Sequence, residues 1–194
     1  MTVSAEPRMH LWTREEYYRM AQVGLFQGKR VELIEGQIIV MSPMGSLHAA
    51  AMTLAARAVE KSFGEGYFVR WQMPLALGER SEPEPDVAVI AGDVRDYVHD
   101  HPATAVLIIE VADTSLAYDR TTKGSLYARA GIPDYWIRII NLIDSQVEVY
   151  RDPLPDPAAE YRFAYARQFV VRGEETITPL SQPSNAIRAV DLLP

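Results

Sequence analysis

The chain has 194 residues, 48% of them apolar and 23% charged, a formal net charge of −7 and no cysteine. That is enough for one domain with a real core, and no run approaches the roughly eighteen apolar residues of a membrane span. The acidity and the lack of a basic run argue against a protein held to nucleic acid mainly by phosphate contacts, and the missing cysteine excludes disulfides, thiolate chemistry and sulfur-ligated zinc.

Residues 1–11 read as a flexible arm without an apolar signal core, which makes the cytoplasm the expected location. Residues 12–194 read as a single domain. Thr13 followed by Glu16 is a capping box, so a short helix starts there and ends near Gly24. Residues 31–34 read as a strand, Glu35-Gly36 as a turn and 38–41 as the returning strand. Ser46 is placed to cap a helix reaching Phe63, with Ala50, Leu54 and Ala58 at helical spacing.

Residues 67–71 and 73–77 are strand candidates, 78–85 a proline-broken loop and 87–90 a short buried strand. Residues 92–102 form a polar excursion with a helical turn. The continuous apolar run 105–111 suits a strand covered on both faces. Asp119 is placed to cap the next helix, with Leu126, Tyr127 and Ala130 on its packed side, and Gly131 and Pro133 end it. Residues 135–140 and 146–150 read as a strand pair, 152–157 as a proline-rich loop, 161–163 and 169–171 as short strands. Residues 174–194 read as a tail with one strand-like piece, 187–190. This order predicts an α/β fold, a mixed sheet flanked by helices.

The chemistry concentrates between Pro85 and Lys123. Asp86 stands at the mouth of a strand, where it can coordinate a hard divalent ion or simply bond to loop amides. Glu110 follows five apolar residues, and a carboxylate there needs a metal, hydrogen bonds or a cation to compensate its burial. Lys123 can reach such a site from the following helix or pair with Asp119 on its own helix face. Glu32 and Glu35 fall on opposite faces of their strand, so one of them faces the site, and Glu32 is the better placed. His48, near a helix start, can lie over the sheet end or cap locally. His10, His99 and His101 lack ligand spacing. Arg70, Arg80, Arg120, Lys123 and Arg129 are the cations from which a local basic patch would be built. Tyr127, Tyr135 and Trp136 read as packing.

Taken jointly, Val31-Glu32-Leu33-Ile34-Glu35-Gly36, Met41-Ser42-Pro43 with His48, Glu84-Pro85-Asp86-Val87, Ile109-Glu110-Val111, and Asp119 through Lys123 with Tyr127, Gly131 and Tyr135-Trp136 resemble the Uma2 family, also called DUF820, over roughly residues 12–150. These are restriction-endonuclease-like proteins of the PD-(D/E)XK nuclease superfamily. The resemblance implies a restriction-endonuclease-like mixed sheet with a Mg²⁺-dependent site at one edge, Mn²⁺ being an alternative. Asp86, Glu110 and Glu32 would be the metal ligands. His48 matches the family's histidine at a helix start. The superfamily's usual lysine falls at Ala112, and Lys123 matches the family's candidate for a migrated one. The implied activity is cleavage of DNA, with a homodimer compatible with it. A non-catalytic binding or regulatory protein on the same fold, or a hydrolase of a small phosphodiester, are the alternatives.

Overall fold

The computed structural model describes residues 7–139 and 146–192. Helix α1 (Arg14–Gln22) opens with the expected capping box: the Glu16 amide donates to the Thr13 side chain and Glu16 reaches back to the Thr13 amide. Gly24 follows at φ 81°. Leu11, the last residue of the expected arm, packs against Gly36, and the Trp12 amide that follows donates to the Gly36 carbonyl at 2.9 Å. Residues 1–6 of that arm lie outside the described residues.

Strands β1 (Val31–Ile34) and β2 (Gln37–Val40) form a separate hairpin. Its turn residues Glu35 and Gly36 both have positive φ, the requirement of the tightest hairpin turns. Helix α2 (Ser46–Phe63) buries Ala51, Ala55, Ala56, Val59 and Phe63. Its N-cap is Gly45, not Ser46, and no side chain caps it.

The main sheet holds six strands in the order β3-β4-β5-β6-β7-β8: β3 (Tyr67–Trp71), β4 (Val87–Ala91), β5 (Leu107–Ala112), β6 (Asp134–Ile139), β7 (Gln146–Pro155) and β8 (Phe163–Arg172). Only β5 and β6 run parallel, and the connection between them is helical. That connection is α3 (Leu116–Tyr118), a π turn (Asp119–Lys123) and α4 (Gly124–Arg129), one after another without a break. A short hairpin of β9 (Thr176–Ile177) and β10 (Ile187–Arg188) and a 3₁₀ turn (Ala189–Leu192) complete the chain.

Alternation along the central strands divides the core. Val87, Val89, Leu107, Ile109, Val147 and Val149 face α2 together with Ile187, Ala189 and Leu192 from the C-terminal segment. Ala88, Ile90, Ile108, Ala112 and Ile137 face α4, with Ile34 of the hairpin and Leu75 and Leu77 of a covering loop. Strands buried on both faces need no polar side, which is why the sequence reads there as unbroken apolar runs.

Several expectations are corrected. Residues 73–77 are not a strand: Pro74 has no amide, the Leu75 amide bonds to the Pro83 carbonyl and the Ala76 amide to the Pro102 carbonyl, so the segment is tied to two loops. Residues 152–157 are not simply a loop, since β7 runs through Pro155, and the two short strands expected near 161–163 and 169–171 are one ten-residue strand, β8. As the outer strand of the sheet, with neighbours only in β7, β8 tolerates the prolines opposite it and polar Arg167 and Gln168. The C-terminal tail is part of the core against α2. Asp119 caps nothing; it lies inside the continuous helix. Ile140 of the expected strand pair lies outside the described residues.

Candidate functional site

Asp86 and Glu110 are brought together by the antiparallel pairing of β4 and β5. Val87 is opposite Ile109, so Asp86 and Glu110 occupy the next step of the same register and share the sheet face of Ala88 and Ile108. They are locked to each other's backbone. The Asp86 amide donates to Glu110 Oε2 at 3.3 Å, and the Val111 amide donates to Asp86 Oδ2 at 2.8 Å. Gln72 Nε2 donates to Asp86 Oδ1 at 3.0 Å.

The π turn delivers Lys123 to the same place. Its ammonium donates to Glu110 Oε1 at 2.9 Å and lies 3.5 Å from Glu32 Oε1. Lys123 is only 3% exposed and Glu32 wholly buried. Glu35, in the hairpin turn, pairs instead with Arg129 and accepts from the hydroxyl of the buried Ser81. Tyr127 Oη donates to Glu110 Oε1 at 2.7 Å, so this tyrosine does more than pack. Asp119 is buried, accepts from Ser115 Oγ at 2.6 Å, and through its carbonyl from Tyr135 Oη at 2.9 Å. His48, at the start of α2, places Nε2 3.0 Å from Asp86 Oδ2, an ion-pair distance without the alignment of a hydrogen bond.

Glu32, His48, Gln72, Asp86, Glu110, Asp119 and Lys123 line one cavity of about 350 Å³, bordered on the other side by Ile39, Val40, Met41, Pro43 and Met44 from β2 and the turn into α2. Its buried polar groups are incompletely satisfied. Among the described residues, five buried side-chain atoms have no hydrogen-bond partner; Glu32 Oε1, Glu32 Oε2, His48 Nε2 and Tyr118 Oη belong to residues that line this cavity, and the fifth, Arg70 Nε, lies outside it. Buried polar atoms without partners are uncommon, and their gathering at one cavity marks a place built to receive something polar.

Four buried acids here face two cations, and burial decides which of them keep a proton. It pushes Glu110 up to about 8 against the opposing pull of Lys123, and it raises Glu32 and Asp119 as well. Burial also pushes Asp86 upward, but the adjoining His48, with Lys123 and Gln72, outweighs it and holds Asp86 below the usual carboxylate range. His48 is raised by Asp86 in turn. Burial alone would lower Lys123, yet Glu110 and Glu32 hold it well above its ordinary value. The surroundings thus favour the charged forms of Asp86, His48 and Lys123, while burial disfavours ionisation of Glu110, Glu32 and Asp119 and a nearby cation favours it.

Asp86 and Glu110 supply hard oxygen donors of the kind Mg²⁺ takes through one or two carboxylates, with water or phosphate completing its shell. The unpartnered oxygens of Glu32 are consistent with a cation-receiving cavity. Among the described residues, no three His, Asp or Glu side chains are placed as they stand to hold one ion together. Lys123 contacts both Glu110 and Glu32.

The sequence reading named five of these residues, and the structure gathers all five at this cavity. It missed Asp119, Tyr118 and Tyr127 as parts of the site. Asp119 was masked by its look as a helix cap and Tyr127 by its helical spacing, which reads as packing, while nothing in the local sequence singles out Tyr118. Of the expected basic patch, Arg120 pairs with Glu148, Arg129 with Glu35 and Lys123 with Glu110, while Arg70 meets the His101 ring at 3.2 Å, which supplies no counter-charge.

A six-stranded mixed sheet flanked by helices, with paired acids and a buried lysine on adjoining elements, defines an α/β protein with an acidic cavity at the sheet. Residues 14–190 match the Uma2 family, described as "Putative restriction endonuclease", and the chain belongs to that family. In fold it is similar to a putative nuclease belonging to DUF820 from Anabaena variabilis ATCC 29413, with a TM-score of 0.68 and 14% identity over 93% of this chain and 96% of that one. No curated protein matches the chain. Among the described residues no helix is long and apolar enough to cross a membrane.

Proposed function

We propose that this protein is a Mg²⁺-dependent nuclease that hydrolyses DNA phosphodiester bonds at the cavity of Asp86, Glu110 and Lys123. The observation that carries the reading is the position of Lys123, 2.9 Å from Glu110 although it comes from a different element thirteen residues later. Asp86 and Glu110 would hold the ion, with Glu32 as the neighbouring acid that keeps Lys123 in place. When bound, the ion supplies a water of lowered pKa and charge compensation at the phosphate. Lys123 donates toward the attacking water or a phosphate oxygen, and its charge is secured by the two acids around it. Val111 and Gln72 fix the Asp86 carboxylate through both oxygens, so it meets the substrate already oriented. His48, whose protonated form its contact with Asp86 favours, is placed to donate a proton at the cavity edge.

The test is cleavage of single-stranded, duplex and branched DNA with Mg²⁺ or Mn²⁺ by the wild type, Asp86→Asn and Lys123→Met, together with calorimetric titration of Mn²⁺ alone. The reading expects metal-dependent cleavage lost in both variants and Mn²⁺ binding lost in Asp86→Asn but kept in Lys123→Met. Cleavage that survives Asp86→Asn, or a wild type that neither binds Mn²⁺ nor cuts, would refute it.

A further inference from the structure

Three arginines are buried among the described residues, and two of them are compensated. Arg151 Nε donates to Asp134 Oδ1 at 2.8 Å, and Arg138 spends its donors on the carbonyls of Leu192, Ile139 and Gln146. Arg70, only 7% exposed, is different. Its Nη2 meets His101 Nδ1 at 3.2 Å and its Nε has no partner. Among the described residues no carboxylate pairs with it and no aromatic ring lies under it. Burial pulls it below the ordinary arginine value, and nothing offsets that pull. A buried cation without a counter-charge destabilises the fold, and an imidazole brings no negative charge to relieve it.

The surroundings leave this guanidinium open to a ligand. Arg70 lies on β3, an outer strand of the main sheet, opposite Ala88 of β4. The loop 98–103 reaches it through His101 and is tied to the 73–77 segment by the Ala76 amide, which donates to the Pro102 carbonyl at 2.8 Å. His101 is half-buried, while His99, Asp100 and Ala103 are exposed, so solvent reaches the loop. Asp100, its one carboxylate, forms no ion pair with Arg70. The unspent Nε shares an edge of the guanidinium plane with an Nη, and such an edge takes two oxygens of an oxyanion at once. A neutral imidazole carries its proton on either nitrogen. Once an oxygen takes over the Nη2 hydrogen, the His101 ring can therefore turn an N–H toward a third oxygen. Donors converging from two directions suit a tetrahedral oxyanion, whereas a planar carboxylate fills the guanidinium edge alone.

We infer that Arg70 and His101 form a phosphate-binding site, distinct from the acidic cavity, that takes the phosphate group of an ester. Ala88, opposite Arg70, stands two residues along β4 from Asp86 on the same sheet face, which sets the Arg70 and Asp86 backbones about 8 Å apart. The phosphate belongs either to a free monoester or to a nucleic-acid strand that also enters the cavity. The second source rests on the nuclease reading; the first does not.

Calorimetric titration with inorganic phosphate, at fixed ionic strength and with a chelator present, tests the site without metal or cleavage. The wild type should bind one phosphate per chain. Arg70→Met should weaken that binding by at least roughly thirtyfold, the effect of losing one charged partner, while Arg95→Met, at an exposed arginine, should bind as the wild type does. Without phosphate, Arg70→Met should melt at or above the wild type, because an uncompensated cation is gone; phosphate should raise the melting temperature of the wild type and not of this variant. A wild type without saturable phosphate binding overturns the inference, as does acetate bound as tightly as phosphate. An Arg70→Met chain that binds phosphate normally, or that melts well below the wild type without phosphate, overturns it too. Thymidine 5′-monophosphate and a single-stranded oligothymidylate separate the two sources. A loss in Arg70→Met confined to the mononucleotide assigns the site to free esters, and a loss for the oligonucleotide assigns it to the strand. A loss for neither overturns it.

Discussion

Replacing Lys123 by methionine keeps the length and apolar stem of the side chain and removes one buried charge. In the wild type, burial raises both Glu110 and Glu32, and the Lys123 ammonium, 2.9 Å from one and 3.5 Å from the other, opposes that rise. Without it both carboxyls hold their protons more tightly in the folded state. The ordinary value of Glu32 is 4.5, so a folded chain that keeps this proton at about pH 7 is destabilised by up to roughly 3 kcal/mol, at about 1.4 kcal/mol for each pH unit. The sign follows from a folded value raised above the unfolded one: the variant is penalised least in acid, and the penalty grows as pH rises toward the folded value. At about pH 5 the same substitution should destabilise by less than about 1 kcal/mol. Urea unfolding at several pH values in the presence of a chelator measures both. A loss of stability equal at both pH values, or larger in acid, would refute the assignment of Lys123 as the counter-charge of Glu32. Adding Mn²⁺ should recover part of the loss, since a divalent ion can replace the missing charge.

Gly36→Ala should destabilise by at least about 1–2 kcal/mol in the same urea assay, because the position needs a left-handed backbone and a new methyl would come within 2.6 Å of Leu11 Cβ and 2.9 Å of its Cα. Tyr127→Phe removes the donor to Glu110 and should cost about 1–3 kcal/mol, whereas Tyr118→Phe removes a hydroxyl with no partner among the described residues and should be neutral to slightly stabilising; thermal melts distinguish the two. His48 is held above its ordinary 6.5 by Asp86, so it adds stability that is full below that value and fades as pH rises through the raised one. His48→Ala should erase this slope in melting temperature against pH, and a variant curve parallel to the wild type would count against the ion pair.

The legible parts of the sequence were those where one residue type has one local meaning. Thr13 and Glu16 specify a cap, Gly131 and Pro133 a stop, and the run 107–109 a strand covered on both faces. Asp86 and Glu110 were visible because each sits against apolar residues that no ordinary surface acid would choose. The failures share a different cause. Residues 73–77 alternate like a strand, yet the partners of their amides are carbonyls of Pro83 and Pro102, distant positions that no local pattern encodes. Strand β8 was fragmented because its polar residues are tolerated only by its place at the sheet edge. Asp119 looked like a cap because caps and buried helix acids use the same residue, and only the π turn tells them apart.

That turn has a consequence for the length of the chain. Gly124 donates its amide five residues back, to Asp119, so the helix holds one residue more than a regular one of equal span. A chain shorter by one here could thread the same path as plain α-helix, keeping Leu126 and Tyr127 seated on the sheet. The turn before them would swing by about 100°, taking the Asp119 carboxylate away from the cavity. A one-residue deletion, normally read as harmless drift, would in this segment separate a relative with a whole site from one that keeps only the fold.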